Sequence, residues 1–174
     1  MRKSTFLLFL ILQFFITNIS FSEDKIVFVN MTKILNMSKA GQSLVTDLDT
    51  LKKKNIKDLK QQEEKLKNDE KIIISQKNIL NKTEFEKKLS VLRADVKKYN
   101  IYRKDTSDIL SKKKLNATNN LMNSIRPILF EYSELNSISI ILEKKHILVG
   151  KNSINITNDI LKIVDQKIKK ISIK

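Results

Sequence analysis

The side chains able to do chemistry are few in kind and lopsided in charge. The 174 residues contain no cysteine and a single histidine, His146. Without thiols there are neither disulfides nor thiolate metal sites, and one imidazole is too few for a histidine metal centre or a paired proton relay. No nucleophile elbow and no glycine-rich phosphate loop occurs, and the acids are spread along what read as solvated helices. These residues describe a protein that is not an enzyme and uses no metal and no cofactor. His146 itself reads as a strand residue beside a turn. Positive charge is what remains: 34 Lys and Arg face 19 Asp and Glu, a formal +15. Between Lys52 and Lys114 lie 20 basic and 10 acidic residues, so most of the surplus rides on one stretch. A surface of one sign steers oppositely charged partners over long range. The candidate contact residues are Lys71, Lys77, Lys82, Lys87, Lys88, Arg93, Lys97 and Lys98. The plainer reading of the same run is a solvated helical face, and the two readings weigh about evenly.

The element that carries these cations runs from about Leu44 to Ile125, with no glycine and no proline inside it. On its second half Phe85, Leu89, Leu92, Val96 and Tyr99 step by four and three, a coiled-coil seam. On its first half Leu44, Leu48 and Leu51 begin a similar stripe. Ile56, Leu59, Leu66, Ile73 and Leu80 continue it, interrupted by Glu63, Glu70 and Lys77. Thr83 with Glu86 fits a capping box, placing a helix start and the tip of an antiparallel hairpin near residues 81–83. Limbs of about 37 to 42 residues give an arm of roughly 55–60 Å at 1.5 Å per residue. Two helices joined along one narrow, partly polar seam bury little apolar surface, which predicts an arm of marginal rigidity.

Residues 1–22 have the layout of a secretory signal. Arg2 and Lys3 precede the apolar run Phe6–Leu12, which continues through Phe14, Phe15 and Ile16, and Ser20 and Ser22 offer small residues before a cut near Ser22. The run falls short of the roughly 20 apolar residues of a spanning helix. Cleavage lowers the charge from +15 to +13, because Arg2 and Lys3 leave and no acid does.

The rest divides into residues 23–43 and 128–174, two parts of one small body flanking an arm at 44–127. Lys25–Asn30 reads as a strand with both faces covered, and Met31–Leu35 as a helical turn. Gly41 marks a turn or close approach at the entry to the long helix. Pro127 should kink the return helix or end its regular part. Ile138–Leu142 and His146–Val149, around Glu143-Lys144-Lys145, read as a β-hairpin. Thr157 is placed to cap a last helix whose buried face is Ile160, Leu161, Ile163, Val164 and Ile168. The fold class is therefore α+β, a long antiparallel helical hairpin projecting from a small β-containing body. About 65 residues make a thin core, which predicts oligomerisation.

The ordered segments Lys25–Met31, Lys33–Leu35 and Lys39–Gly41, then Ile138–Leu142, Asn152-Ser153 and Asn155–Leu161, resemble the OmpH/Skp-type periplasmic chaperones along the whole mature chain. The resemblance implies a soluble homotrimer with a shared β body and three arms around a cavity. It implies an ATP-independent holdase in the periplasm of a Gram-negative bacterium, keeping unfolded outer-membrane β-barrel proteins from aggregating in transit. Some members are also thought to interact with lipopolysaccharide or an anionic membrane surface. Among other classes, a nucleic-acid-binding protein is disfavoured by the export signal and by aromatic poverty on the arm, where only Tyr99 and Tyr102 are available for stacking. A structural coiled-coil envelope protein or an anionic-lipid-binding periplasmic protein is the alternative. A coiled-coil spacer should keep an uninterrupted seam and a wall or lipid anchor, and neither is evident.

Overall fold

The computed structural model describes residues 24–173, and the signal segment 1–22 lies outside them. The element order is β1 (Lys25–Val29), α1 (Met31–Met37), α2 (Lys39–Ser75), α3 (Lys82–Leu135), β2 (Ile138–Glu143) and α4 (Thr157–Lys167). Two single turns of 3-10 helix, Lys144–His146 and Asn152–Ile154, separate β2 from α4. The architecture is the α+β one expected, a helical hairpin standing on a small two-stranded body.

The body is built around β1. Val27, Phe28 and Val29 are all buried, so both faces of the strand are covered. β1 pairs with β2 in parallel, Val27 opposite Ile141 and Val29 opposite Glu143. A parallel pair cannot be closed by a tight turn and needs a long crossover; here the crossover is the whole arm. The core under the sheet joins Val27, Val29, Ile34, Leu121, Ile125, Ile128, Ile138, Ile160 and Val164. Each fully buried side chain of this size contributes roughly 1.5–3 kcal/mol.

The corner between α1 and α2 explains Gly41. Asn30 caps α1 by accepting from the Lys33 amide at 2.8 Å, and Ser38, wholly buried, caps α2 by accepting from the Gly41 amide at 3.1 Å. A Cβ on Gly41 would lie 1.8 Å from the Leu35 carbonyl oxygen. The glycine is required by close approach, inside the first turn of α2.

Four local expectations change. No hairpin forms after β2: residues 144–146 make a 3-10 turn carrying His146, and Leu148 and Val149 are fully exposed. Glu143-Lys144-Lys145 lacks the Gly, Asn or Asp that a tight hairpin turn needs, and β1 meets Asn155 on its other side through an isolated bridge. Pro127 does not end α3, which runs on to Leu135. The proline is exposed, so the Asn123 carbonyl it leaves unpaired can meet water, while buried Ile128 holds the last turns on the body. Thr157 does not cap α4; its buried hydroxyl donates to Asn155 Oδ1 at 2.6 Å and accepts from the Asn30 amide at 2.8 Å. The α3 start is capped by Asn81, whose side chain accepts from the Glu84 amide at 2.9 Å, not by Thr83 with Glu86. The tip is thus the turn 76–81. The expected buried face of α4 holds, with Ile160 and Val164 enclosed and Leu161, Ile163 and Ile168 packed at its edge.

The arm's limbs pack antiparallel, and most of the expected seam faces inward: Phe85, Leu89, Leu92 and Tyr99 on α3, and Leu44, Leu48, Leu51, Leu59, Leu66 and Ile73 on α2. On α3 the inward positions include Asp95, Thr106, Ala117 and Ile128, and beside them Tyr99, Leu110, Leu121 and Tyr132. On α2 they include Leu44, Asn55 and Leu66, and beside them Asp58 and Asp69, with Leu80 following in the tip turn. Ile56 and Val96, expected on the seam, are 54% and 40% exposed, and Glu63, Glu70 and Lys77 lie outside it. The polar interruptions are instead Asn55, Asp58, Asp69 and Asp95, so the seam is as weak as expected but through different residues.

Candidate functional site

The outer half of the arm brings together the features of a contact surface. α2 ends in Ile72-Ile73-Ile74, and successive helical residues point about 100° apart. Only one of three consecutive isoleucines can therefore face the partner helix. Ile73 does and is buried, whereas Ile72 and Ile74 stand 46% and 60% exposed. Ile79, in the tip turn, is 81% exposed. Across the seam Val91 is also exposed, about two and a half turns from the tip-facing end of α3.

Ile72 and Val91 open into a cleft of about 590 Å³ whose floor is Ile72, Ile73, Leu80, Val91 and Leu92; Ile74 and Ile79 do not line it. Lys87 and Lys88 stand on its rim with Glu84, and Asp69 and Asp95 mark its inner end. A second cleft of about 400 Å³, floored by Leu66, Tyr99 and Tyr102 with Lys65 and Lys98 beside them, shares Asp69 and Asp95 with the first. The two form one groove along a single face of the arm, apolar below and edged by charges of both signs, Lys65, Lys87, Lys88 and Lys98 against Asp69, Glu84 and Asp95. This face can accept an extended apolar segment interspersed with polar and charged groups.

Of the eight cations singled out by sequence, all are exposed. The groove gathers Lys87, Lys88 and Lys98; Lys71, Lys77, Lys82, Arg93 and Lys97 do not line it. Lys88 Nζ donates to Gln76 Oε1 at 2.6 Å across the tip, and Lys98 lies 3.3 Å from Asp95. Lys71, Lys77, Lys82, Lys87, Arg93 and Lys97 have no ion-pair partner among the described residues. Lower on the arm some charges satisfy one another: Lys67 lies 2.7 Å from Glu63, its hydrogen bond and charge holding the Glu63 carboxyl below the usual range. Cations without an ion-pair partner among the described residues nevertheless run the length of the arm, from Lys52, Lys54 and Lys57 near the root to Lys77, Lys82 and Lys87 at the tip. The apolar floor was not anticipated from sequence. The triple isoleucine was the available signal, since a run that long cannot all be seam.

Among the described residues there is no group of three or more side chains placed to hold a metal ion, and no helix is long and apolar enough to cross a membrane.

Comparison with known proteins bears on the whole architecture. A family model described as outer membrane protein (OmpH-like) matches residues 25–164. No curated protein matches the sequence. Among solved structures, an outer membrane chaperone (OmpH-like) from Caulobacter crescentus CB15 superposes with a TM-score of 0.82 at 13% identity. The match covers 91% of this chain and 94% of that one, a likeness of fold along nearly the full length of both.

Proposed function

The chain belongs to the OmpH-like family of outer membrane proteins, and from that premise we propose that it is an ATP-independent holdase for unfolded outer-membrane proteins in the periplasm. Membership of the family supports a chaperone role and a periplasmic location. The observation that carries the finer reading is the groove near the tip, where isoleucine and valine are left in water beside Lys87 and Lys88. A packed monomer leaves such side chains out only singly; gathered in a cleft they fit a partner. Unfolded β-barrel segments offer what the groove accepts, extended apolar stretches with polar and charged residues between them. Such contacts are individually weak and reversible, so capture and release need no nucleotide, and several arms around one client supply the avidity.

Three copies give the arms something to surround. Phe130, Ile140, Leu142, Leu148 and Val149 are exposed on the body, the last two almost completely. Covering them between subunits supports a homotrimer with one shared base. The secretory signal, cut near Ser22, belongs to the same proposal. Lipopolysaccharide or an anionic membrane surface would compete for the exposed lysines of the arm rather than for the apolar floor.

The test is suppression of aggregation of a urea-diluted β-barrel protein across a salt series. At 0.15 M ionic strength fields are screened beyond about 8 Å, so capture should slow as salt rises, and charge reversal at Lys87, Lys88, Lys97 and Lys98 should mimic high salt. Protection indifferent to both would remove the electrostatic part of the proposal, and a protein that never delays aggregation would remove the whole.

A further inference from the structure

The segment after α4 crosses the root of the arm. Beyond Lys167 the chain continues through Ile168, Lys169, Lys170, Ile171, Ser172 and Ile173 without regular structure. Ile168 and Ile171 pack against the core and Ile173 is half-buried, while Lys169, Lys170 and Ser172 face water. That pattern is the signature of a segment lying on a surface, not of a free tail. Lys170 Nζ sits 3.0 Å from Asp47 Oδ2 on α2. Lys170, Ser172 and Ile173 wall a cleft of about 680 Å³ whose other sides are Asp47, Thr50, Leu51 and Lys54 of α2 and Lys113 of α3. The segment therefore reaches both limbs at once. The helix it leaves is tied to both as well: Asp165 Oδ1 accepts from the Lys39 amide at 2.7 Å, at the start of α2, and Lys167 pairs with Glu131 of α3.

We propose that residues 168–173 form a strap that holds the two limbs together at the root, so that limb separation is set from the C-terminal end of the body as well as by the seam. The seam is weak from mid-arm outward, where Asn55, Asp58, Asp69 and Asp95 replace apolar residues. A limb that opens there is a lever. One degree at the root moves the end of a limb of 37 residues by about 1 Å, since that limb spans roughly 55 Å. Holding the root is consequently the most economical place to limit the motion. The carboxylate of Asp165 at the first amide of α2 reinforces the hold, because a negative charge there meets the positive end of the helix dipole.

Hydrogen–deuterium exchange of the full mature protein tests this. The variants are a chain ending at Lys167, the single change Lys170→Asp, the swap Asp47→Lys with Lys170→Asp, and Ile173→Asp. Removing the strap exposes apolar surface equivalent to about one buried isoleucine, so exchange over 44–54 and 110–117 should rise about tenfold or more. Amides of β1 and of the tip, 70–92, should keep their rates. Lys170→Asp should give a smaller rise of about two- to threefold, as befits an exposed ion pair, and the swap should reverse it. If the shortened chain does not fold, Ile173→Asp, which lies beyond the residues packed on the core, decides the question by the same pattern. Root exchange within twofold of the native rate overturns the proposal. So does a rise shared equally by β1, which would make the tail a support for the body alone.

Discussion

Replacing Ile72 and Val91 by threonine tests the groove directly. Their side chains are 46% and 56% exposed, so roughly half of each remains for a client to cover. Full burial of such a side chain is worth roughly 1.5–3 kcal/mol, which gives about 1 kcal/mol for each exposed half and about 2 kcal/mol for the pair. At 1.4 kcal/mol per factor of ten, client affinity should fall about 30-fold. The fold should barely notice. Threonine keeps the β-branch and nearly the helix propensity of isoleucine and valine, and both hydroxyls have water beside them. The chain contains no tryptophan, so the tryptophan fluorescence of a bound β-barrel protein reports the client alone. Titrating such a client with the native and doubly substituted proteins, with helicity checked by circular dichroism, gives the comparison. Dissociation constants within twofold of one another, at unchanged helicity, would refute the groove as the contact surface.

Two further outcomes follow from local geometry. Gly41→Ala should destabilise the protein by about 3 kcal/mol or more in urea denaturation, because a Cβ placed 1.8 Å from the Leu35 carbonyl forces the α1–α2 corner apart and endangers the Ser38 cap. The Tyr132 phenol is raised above 10.0, first by burial, then by the neighbouring Asp159 charge and the hydrogen bond between them. The folded protein therefore holds its phenolic proton to higher pH than the unfolded chain does. This contribution to stability is complete below pH 10 and declines as pH rises through the folded value. Absorbance titration of phenolate should show one of the three tyrosines ionising late, and Tyr132→Phe should remove that late step and flatten the alkaline loss of stability.

The arm was legible because its evidence is local. A stretch of about eighty residues without glycine or proline, rich in Lys, Glu and Leu, has little option but long helices. β1 was legible for a similar reason, since four consecutive apolar residues before a turn leave both faces to be covered. The seam was legible too, with Phe85, Leu89, Leu92 and Tyr99 turned inward. It was read one residue out at Ile56 and Val96, where Asn55 and Asp95 lie inward instead, a local choice that only packing against a real partner makes. The tip cap was misplaced for lack of the same information: Asn81 and Thr83 are both good caps, and the choice depends on where the turn releases the chain. Among the eight cations sequence could name the charges, but not which three would share a face with an apolar floor.

By itself, then, the sequence determined the α+β plan, the helical hairpin, its surplus of positive charge and the two-part body, because each depends on residue type and short-range periodicity. Tertiary structure alone decided the parallel pairing of β1 with β2, the groove beneath Lys87 and Lys88, and the course of the last residues across the root. Each of these depends on which distant surfaces remain free once the long helices have packed: β1 faces β2 across the entire arm, Ile72 stays in water because Ile73 takes the seam, and Lys170 finds Asp47 more than a hundred residues away.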